Sequence, residues 1–146
     1  MPSRIRVVLM TGTLERGGAE GQLVALARGL DASRFDVRVC GLTAGGPLET
    51  HLREAGTPVD VIGGQGFVRS RGLGVLAGLT GLLRVVLRLA RYLRRHRPHV
   101  VQGQLFWAYV LGGLAAPLAR VPVVIGCRRS LPLFKAGNPR HLWIEQ

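Results

Sequence analysis

The chain has 146 residues, 47% of them hydrophobic, which suffices for one sizeable core, and no low-complexity linker divides it into two domains. Lys+Arg 20 against Asp+Glu 8 give a formal net charge of +12, which favours anionic partners such as nucleotides, phospholipid surfaces or nucleic acid. All but one of the basic residues are arginine, a bias that the nucleotide composition of the source genome also produces.

Taken in order, an apolar β-branched run predicts a first strand over Arg6 to Met10, and Ala19, Leu23, Leu26, Ala27 and Leu30 share one face of a helix over Gly18 to Leu30. The stretch between them, TGTLERGGAE (Thr11 to Glu20), is a glycine-rich turn opening a βαβ unit. FDVRVCGL predicts a second strand, Phe35 to Leu42, and Pro47 opens a short helix, Leu48 to Ala55, that Gly56 ends. A third strand follows at Val59 to Ile62. Gly63 to Gly74 reads as a surface loop and a candidate substrate-facing flap. The next helix, Val75 to Arg95, carries Leu82, Val86, Leu89 and Leu93 on one face and Arg84, Arg88, Arg91 and Arg95 on another. Pro98 stops it.

A fourth strand is expected at His99 to Gln102, then a helix over Phe106 to Ala119 that Pro117 kinks or ends, then a buried fifth strand at Val121 to Gly126. The last residues read as loop and then as an element cut short. Strands alternating with helices argue for an α/β fold with a Rossmann-like, doubly wound parallel sheet. Neither of two apolar segments suits a membrane span. Arg84 ends Gly72 to Leu83 short of the roughly 20 residues a span needs, and Pro98 to Ala119 begins like a buried strand and holds Gln102, Gln104 and Pro117. A secretory signal is not expected, because the apolar run after Arg4 and Arg6, Val7 to Met10, is short for its core and charged turn residues follow it. Cys40 and Cys127 read as small strand side chains of a reducing compartment.

The glycine turn fails two familiar phosphate patterns. Gly12 and Gly17 have P-loop spacing, but Gly18 and Ala19 stand where Lys and Ser or Thr are needed, and no G-x-G-x-x-G can be read between Gly12 and Gly21. What remains is a helix N-terminus behind two glycines, whose N–H groups admit a phosphate or sugar oxygen, or else a turn in which Glu20 complements the helix dipole. The residues alone leave both open. Arg128, Arg129 and Ser130 follow the fifth strand at the same sheet edge, where an arginine fork could hold an anion. His51, His96, His99 and His141 lack metal-ligand spacing, and no metal is expected.

TLERGGAEGQLVALARGLDASRFDVRVCGLTAGGPLETHLREAGTPV resembles the N-terminal domain of glycosyltransferase family 4, the retaining GT-B enzymes, in which a GGAE-type turn leads into the first helix. The likeness continues through RRHRPHVVQGQLFWA, LARVPVVIGCRRS and FKAGNPRHLWIEQ. It implies one half of a GT-B fold, with residues 1–146 forming the acceptor-side domain, incomplete at its C-terminus and lacking the donor-binding domain. It further implies sugar transfer from a nucleotide sugar, which is a co-substrate rather than a cofactor, to a glycan or lipid-linked acceptor. Gly17, Gly18 and Glu20 would face the donor diphosphate. Gln102, Gln104, Arg128, Arg129 and Ser130 are the candidate acceptor contacts. Many members carry a histidine after the fourth strand where this chain reads VVQGQ, and glutamine orients a hydroxyl without exchanging a proton near neutral pH.

The expected setting is cytoplasmic, with a peripheral position on the inner membrane face as an option; the arginine stripe reads first as a solvated face and alternatively as a contact with anionic lipid headgroups. The chain alone is expected to be inactive. The alternative is a non-catalytic basic α/β module binding nucleic acid or a membrane surface by charge, but no specific nucleic-acid reader motif is present.

Overall fold

The computed structural model describes residues 4–63 and 74–127. In chain order these form β1 (Ile5–Thr13), α1 (Gly18–Gly29), β2 (Phe35–Ala44), α2 (Pro47–Glu54), β3 (Val59–Val61), α3 (Gly74–His96), β4 (Val100–Gln104), α4 (Leu105–Leu118) and β5 (Val123–Cys127). The strands make one sheet in the order β3-β2-β1-β4-β5. All four pairings are parallel. The chain winds outward from β1 to β3, and α3 then carries it back across to β4 on the other side of β1. The sheet is therefore the doubly wound one expected.

Alternation along the strands assigns the two faces. Val7 and Leu9 of β1, with Val39 and Val59, pack under Leu23, Val24 and Ala27 of α1 and Leu52 of α2. Val8, Met10, Cys40, Leu42 and Val101 pack under Val85, Val86, Leu89, Ala90 and Leu93 of α3 and Ala108, Leu111 and Ala115 of α4. Small residues let α4 come close to the sheet: a β-carbon at Gly103 would collide with the backbone of Ala108 and Tyr109, and one at Gly126 with the Tyr109 ring. The second half of α3 is further tied down by polar contacts. Asp60 Oδ2 accepts from Arg38 Nη1 at 2.8 Å and from Tyr92 Oη at 2.9 Å, and the Tyr92 and His96 rings stack with centroids 4.6 Å apart.

Three expectations are corrected. β1 runs on to Thr13, which pairs with Ala44, so Thr11 and Gly12 belong to the strand rather than to the turn. β4 likewise extends to Gln104, held by pairing with Cys127. β5 is not a buried strand: Val123, Val124 and Ile125 are all exposed, because β5 is the edge of the described sheet. The flap expected at Gly63 to Gly74 and the C-terminal element fall almost wholly outside the described residues.

Candidate functional site

The strand order reverses between β1 and β4, and in open α/β sheets ligands bind in the crevice outside the carboxyl ends of the strands at such a point. Here that crevice lies between the turn that follows β1 and the β4–α4 junction. Leu14 anchors the turn. It is fully buried in the core beneath α1, its carbonyl accepts the N–H of Leu48 at 3.1 Å, and Thr43 Oγ1 donates to the carbonyl of Gly12 at 2.8 Å. Glu15 and Arg16 are left at the exposed tip.

Helix α1 starts without a side-chain cap. Gly17 occupies the N-cap with φ −150, an extended conformation open to any residue, and the Glu20 carboxylate folds back to the space a β-carbon on Gly17 would fill. A β-carbon on Gly18 would meet nothing within 4 Å. Neither glycine is required by a left-handed backbone. They leave a bare helix N-terminus whose first-turn N–H groups have no intrahelical acceptors, an arrangement suited to an anion.

Below it, the ends of β1 and β4 carry an unusual pair. Met10 pairs with Gly103, so Thr11 and Gln104 are the next residues on neighbouring strands, both on the face that α1 covers. Both are fully buried, yet Thr11 Oγ1 and both amide atoms of Gln104 have no hydrogen-bond partner among the described residues. Leaving such a group unpaired costs about 1–3 kcal/mol. The next residue, Leu105, is held at φ +66, a left-handed conformation that a leucine adopts only under strain. Unpaired buried polar atoms and one strained residue thus meet at this corner, a combination found at functional sites.

The two glutamines differ in state. Gln102 is half-buried and its Nε2 donates to Cys127 Sγ at 3.1 Å, so its amide is engaged with the neighbouring strand. Gln104 is unpaired. Arg128, Arg129 and Ser130 lie outside the described residues. Gly17, Gly18 and Glu20 are brought together at the α1 terminus, on the same sheet face as Gln102 and Gln104.

Thr11, Leu14 and Leu105 were not among the sequence candidates, nor were the aromatics that open α4. Phe106 and Trp107 are each 48% exposed, their ring centroids 5.2 Å apart in an edge-to-face arrangement. They follow the strained Leu105 directly and offer apolar ring surface beside the crevice. The sequence signal available for them was the run LFWAY, in which large aromatics occupy successive positions and cannot all face the core. Among the described residues no three His, Cys, Asp or Glu side chains converge as a metal site requires.

Residues 17–145 match the family model described as "Glycosyl transferase 4-like domain". The UDP-N-acetylglucosamine--N-acetylmuramyl-(pentapeptide) pyrophosphoryl-undecaprenol N-acetylglucosamine transferase of Coxiella burnetii is 33% identical over 119 residues, 80% of this chain and 33% of the relative. The enzyme of the same name from Shewanella loihica is 31% identical over 133 residues, 90% of this chain and 35% of the relative. The chain therefore spans about a third of the length of the curated relatives it matches. A crystal structure of MurG from Acinetobacter baumannii shares the fold with a TM-score of 0.61 at 23% identity, over 90% of this chain and 38% of that one. The fold is that of one Rossmann-like half of a GT-B enzyme, and by the extent of the family match the chain belongs to the glycosyl transferase 4-like domain family.

Proposed function

We propose that residues 1–146 supply the acceptor-side half of a nucleotide-sugar-dependent glycosyltransferase that moves a sugar onto a lipid-linked or glycan acceptor. The observation that carries this reading is the buried, unpartnered pair Thr11 and Gln104 at the strand-order reversal, on the face covered by α1 with its uncapped N-terminus. A donor diphosphate presented by a second domain would receive N–H groups at Gly17 and Gly18, and the space beside Gly18 lets an oxygen come close. Gln104 would orient a neighbouring hydroxyl. As a neutral amide it positions and does not exchange a proton, so acid–base chemistry falls to other groups.

The matched relatives are named for transfer of N-acetylglucosamine to a pyrophosphoryl-undecaprenol acceptor, which supports a lipid-linked acceptor here too. No helix of the described residues is long and apolar enough to cross a membrane. Contact with lipid would instead be peripheral, at the cytoplasmic face, through α3, where exposed Leu83 and Leu87 adjoin the stripe of Arg84, Arg88, Arg91 and Arg95. Retention of anomeric configuration, implied by the resemblance, is a separable part of the reading, and NMR of the product anomer decides it.

The test joins this chain to a donor-binding domain of the same family and follows transfer from labelled nucleotide sugars to a polyprenyl-pyrophosphoryl acceptor. The chain alone should be silent, the joined protein active, and Gly18→Val in it inactive with its fold intact. Turnover by the chain alone above that of its Gly18→Val variant, or full activity of the joined Gly18→Val protein, would sink the proposal.

A further inference from the structure

The opposite end of the sheet holds a second cleft, of about 710 Å³, lined by Arg6, Arg94, Arg97, Arg120 and His99, and among its described lining residues none is acidic. It gathers around the amino ends of β1 and β4, where α3 and α4 both terminate. Five residue steps along β1, roughly 17 Å at the usual strand rise, separate Arg6 from Thr11, so this cleft is distinct from the crevice at the carboxyl edge.

Three observations point to an anionic ligand. The first concerns His99. The backbone N–H of Arg6 donates to His99 Nδ1 at 3.0 Å, so that nitrogen carries no proton and the ring's hydrogen resides on Nε2. His99 Nε2 stands 3.3 Å from Arg6 Nη2, which is itself always protonated. Two donors therefore face one another at 3.3 Å. An oxyanion placed at the pair accepts from both.

The second is backbone strain. Arg97 and Arg120 follow the ends of α3 and α4 with φ +47 and φ +58, the left-handed conformation in which glycine is the usual and less costly residue. Both positions carry arginine, and both line this cleft. The third is anchoring. Arg6 Nε donates to the Arg97 carbonyl at 2.7 Å and Arg94 Nε to the Leu118 carbonyl at 2.9 Å, which fixes both side chains and leaves their remaining N–H groups available. Arginine at a helix C-terminus also complements the dipole, but an exposed lysine or arginine does so without a strained backbone.

We infer that this cleft is a phosphate-binding site, recognising a phosphate or pyrophosphate group with Arg6, His99, Arg97 and Arg120. The phosphate belongs either to a free phosphorylated molecule or to a lipid headgroup, and the fork geometry of guanidinium suits both. The site is independent of the reading given to the carboxyl-edge crevice.

The purified chain is titrated with inorganic pyrophosphate by calorimetry, and in parallel with vesicles containing phosphatidic acid. The Arg97→Gly/Arg120→Gly double variant is the comparison. Glycine removes both charges yet retains the Arg97 carbonyl that holds Arg6, and it relieves the left-handed strain, so Tm should hold or rise. Saturable pyrophosphate binding, weakened about tenfold or more in the variant, is expected for a free ligand. The same loss on vesicles, with pyrophosphate as competitor, identifies a headgroup. No binding of either probe, or equal binding by variant and wild type, overturns the inference.

Discussion

The α-carbon of Gly46 is packed so tightly against the carbonyl of Leu14 that a β-carbon there would overlap its carbon and oxygen. Gly46 has φ 178, so its conformation is open to any residue and the requirement is for space alone. The contact locks the turn before α2 to the turn before α1, and the Leu48 N–H to Leu14 bond lies beside it. Gly46→Ala should cost about 1–3 kcal/mol, as overpacking usually does, read as a lower midpoint in urea. Stability equal to wild type would mean that the two turns are free to part, and that the glycine terminus is not held in place.

The buried pair Thr11 and Gln104 makes the opposite prediction. Replacing an unpaired buried polar side chain by an apolar one of similar shape removes a desolvation cost rather than an interaction. Thr11→Val and Gln104→Leu should each leave stability unchanged or raise it, by up to about 1–3 kcal/mol. In the donor-domain fusion the same changes should lower transfer, a gain of stability bought with function. Destabilisation by either substitution would show that these groups have partners in solution and are structural.

Much of the architecture was legible from residue patterns because the strands are β-branched runs and the helices keep one apolar face. Val86, Leu89 and Leu93, expected on one side of the long helix, are all buried there. What escaped depends on contacts between distant positions. Leu14 has no periodic neighbours in its turn, so nothing marked it as a core residue. The run VVIGC reads as buried, and its exposure follows only from its place at the edge of the described sheet. Positive φ at Leu105, Arg97 and Arg120 is invisible in residue types that normally avoid it. At the site, the glycine turn was legible as a strand-to-helix junction at the carboxyl edge of the sheet, whereas the state of Gln104 arises from pairing register and helix cover.

Acid should weaken the fold in two stages. His96 is held below its ordinary 6.5, by burial first and then by the nearby Arg38 charge, so it stays neutral in the fold while the unfolded chain takes up a proton. Stability therefore declines as pH drops below about 6.5, modestly because the ring is only partly buried. For Asp60, burial favours the neutral acid, but the hydrogen bonds from Arg38 and Tyr92 outweigh it and its pKa lies below 3.8. A depressed carboxylate contributes stability above its unfolded pKa and loses it as pH falls through the folded value. Asp31, held low by the Ser33 hydroxyl and N–H, adds to this lower limb. Urea unfolding from about pH 7 to about pH 3 should show both stages. Asp60→Asn should lower neutral stability and flatten the lower limb, while His96→Phe removes the upper one. An unaltered acid profile in both variants would contradict the assignment.

The two thiols should differ in reactivity. Cys40 is fully buried, and desolvation pushes its thiol well above the ordinary range, so the reactive thiolate is not formed near neutral pH. Cys127 is half-buried at the end of β5. Brief treatment with iodoacetamide followed by mass spectrometry should find Cys127 modified and Cys40 protected until the chain is unfolded. Early modification of Cys40 would mean that the helix layer of α3 and α4 lifts from that face of the sheet.

The peripheral lipid contact proposed for α3 can be tested apart from the packing of that helix, because the two would use different sides of it. Val85, Val86, Leu89 and Leu93 face the sheet, while Leu83 and Leu87 are 58% and 41% exposed next to the arginines. Insertion of the leucines and attraction of the arginines should then be separable in vesicle sedimentation. Arg84→Ala and Arg88→Ala should each weaken binding to anionic vesicles by about 1 kcal/mol, roughly fivefold, with the loss disappearing at high salt. Leu83→Gln and Leu87→Gln should weaken binding at every salt concentration. Because these side chains are exposed, all four variants should retain the wild-type unfolding midpoint. If the arginine changes leave vesicle binding untouched, the stripe is a solvated face and the proposed lipid contact through α3 fails.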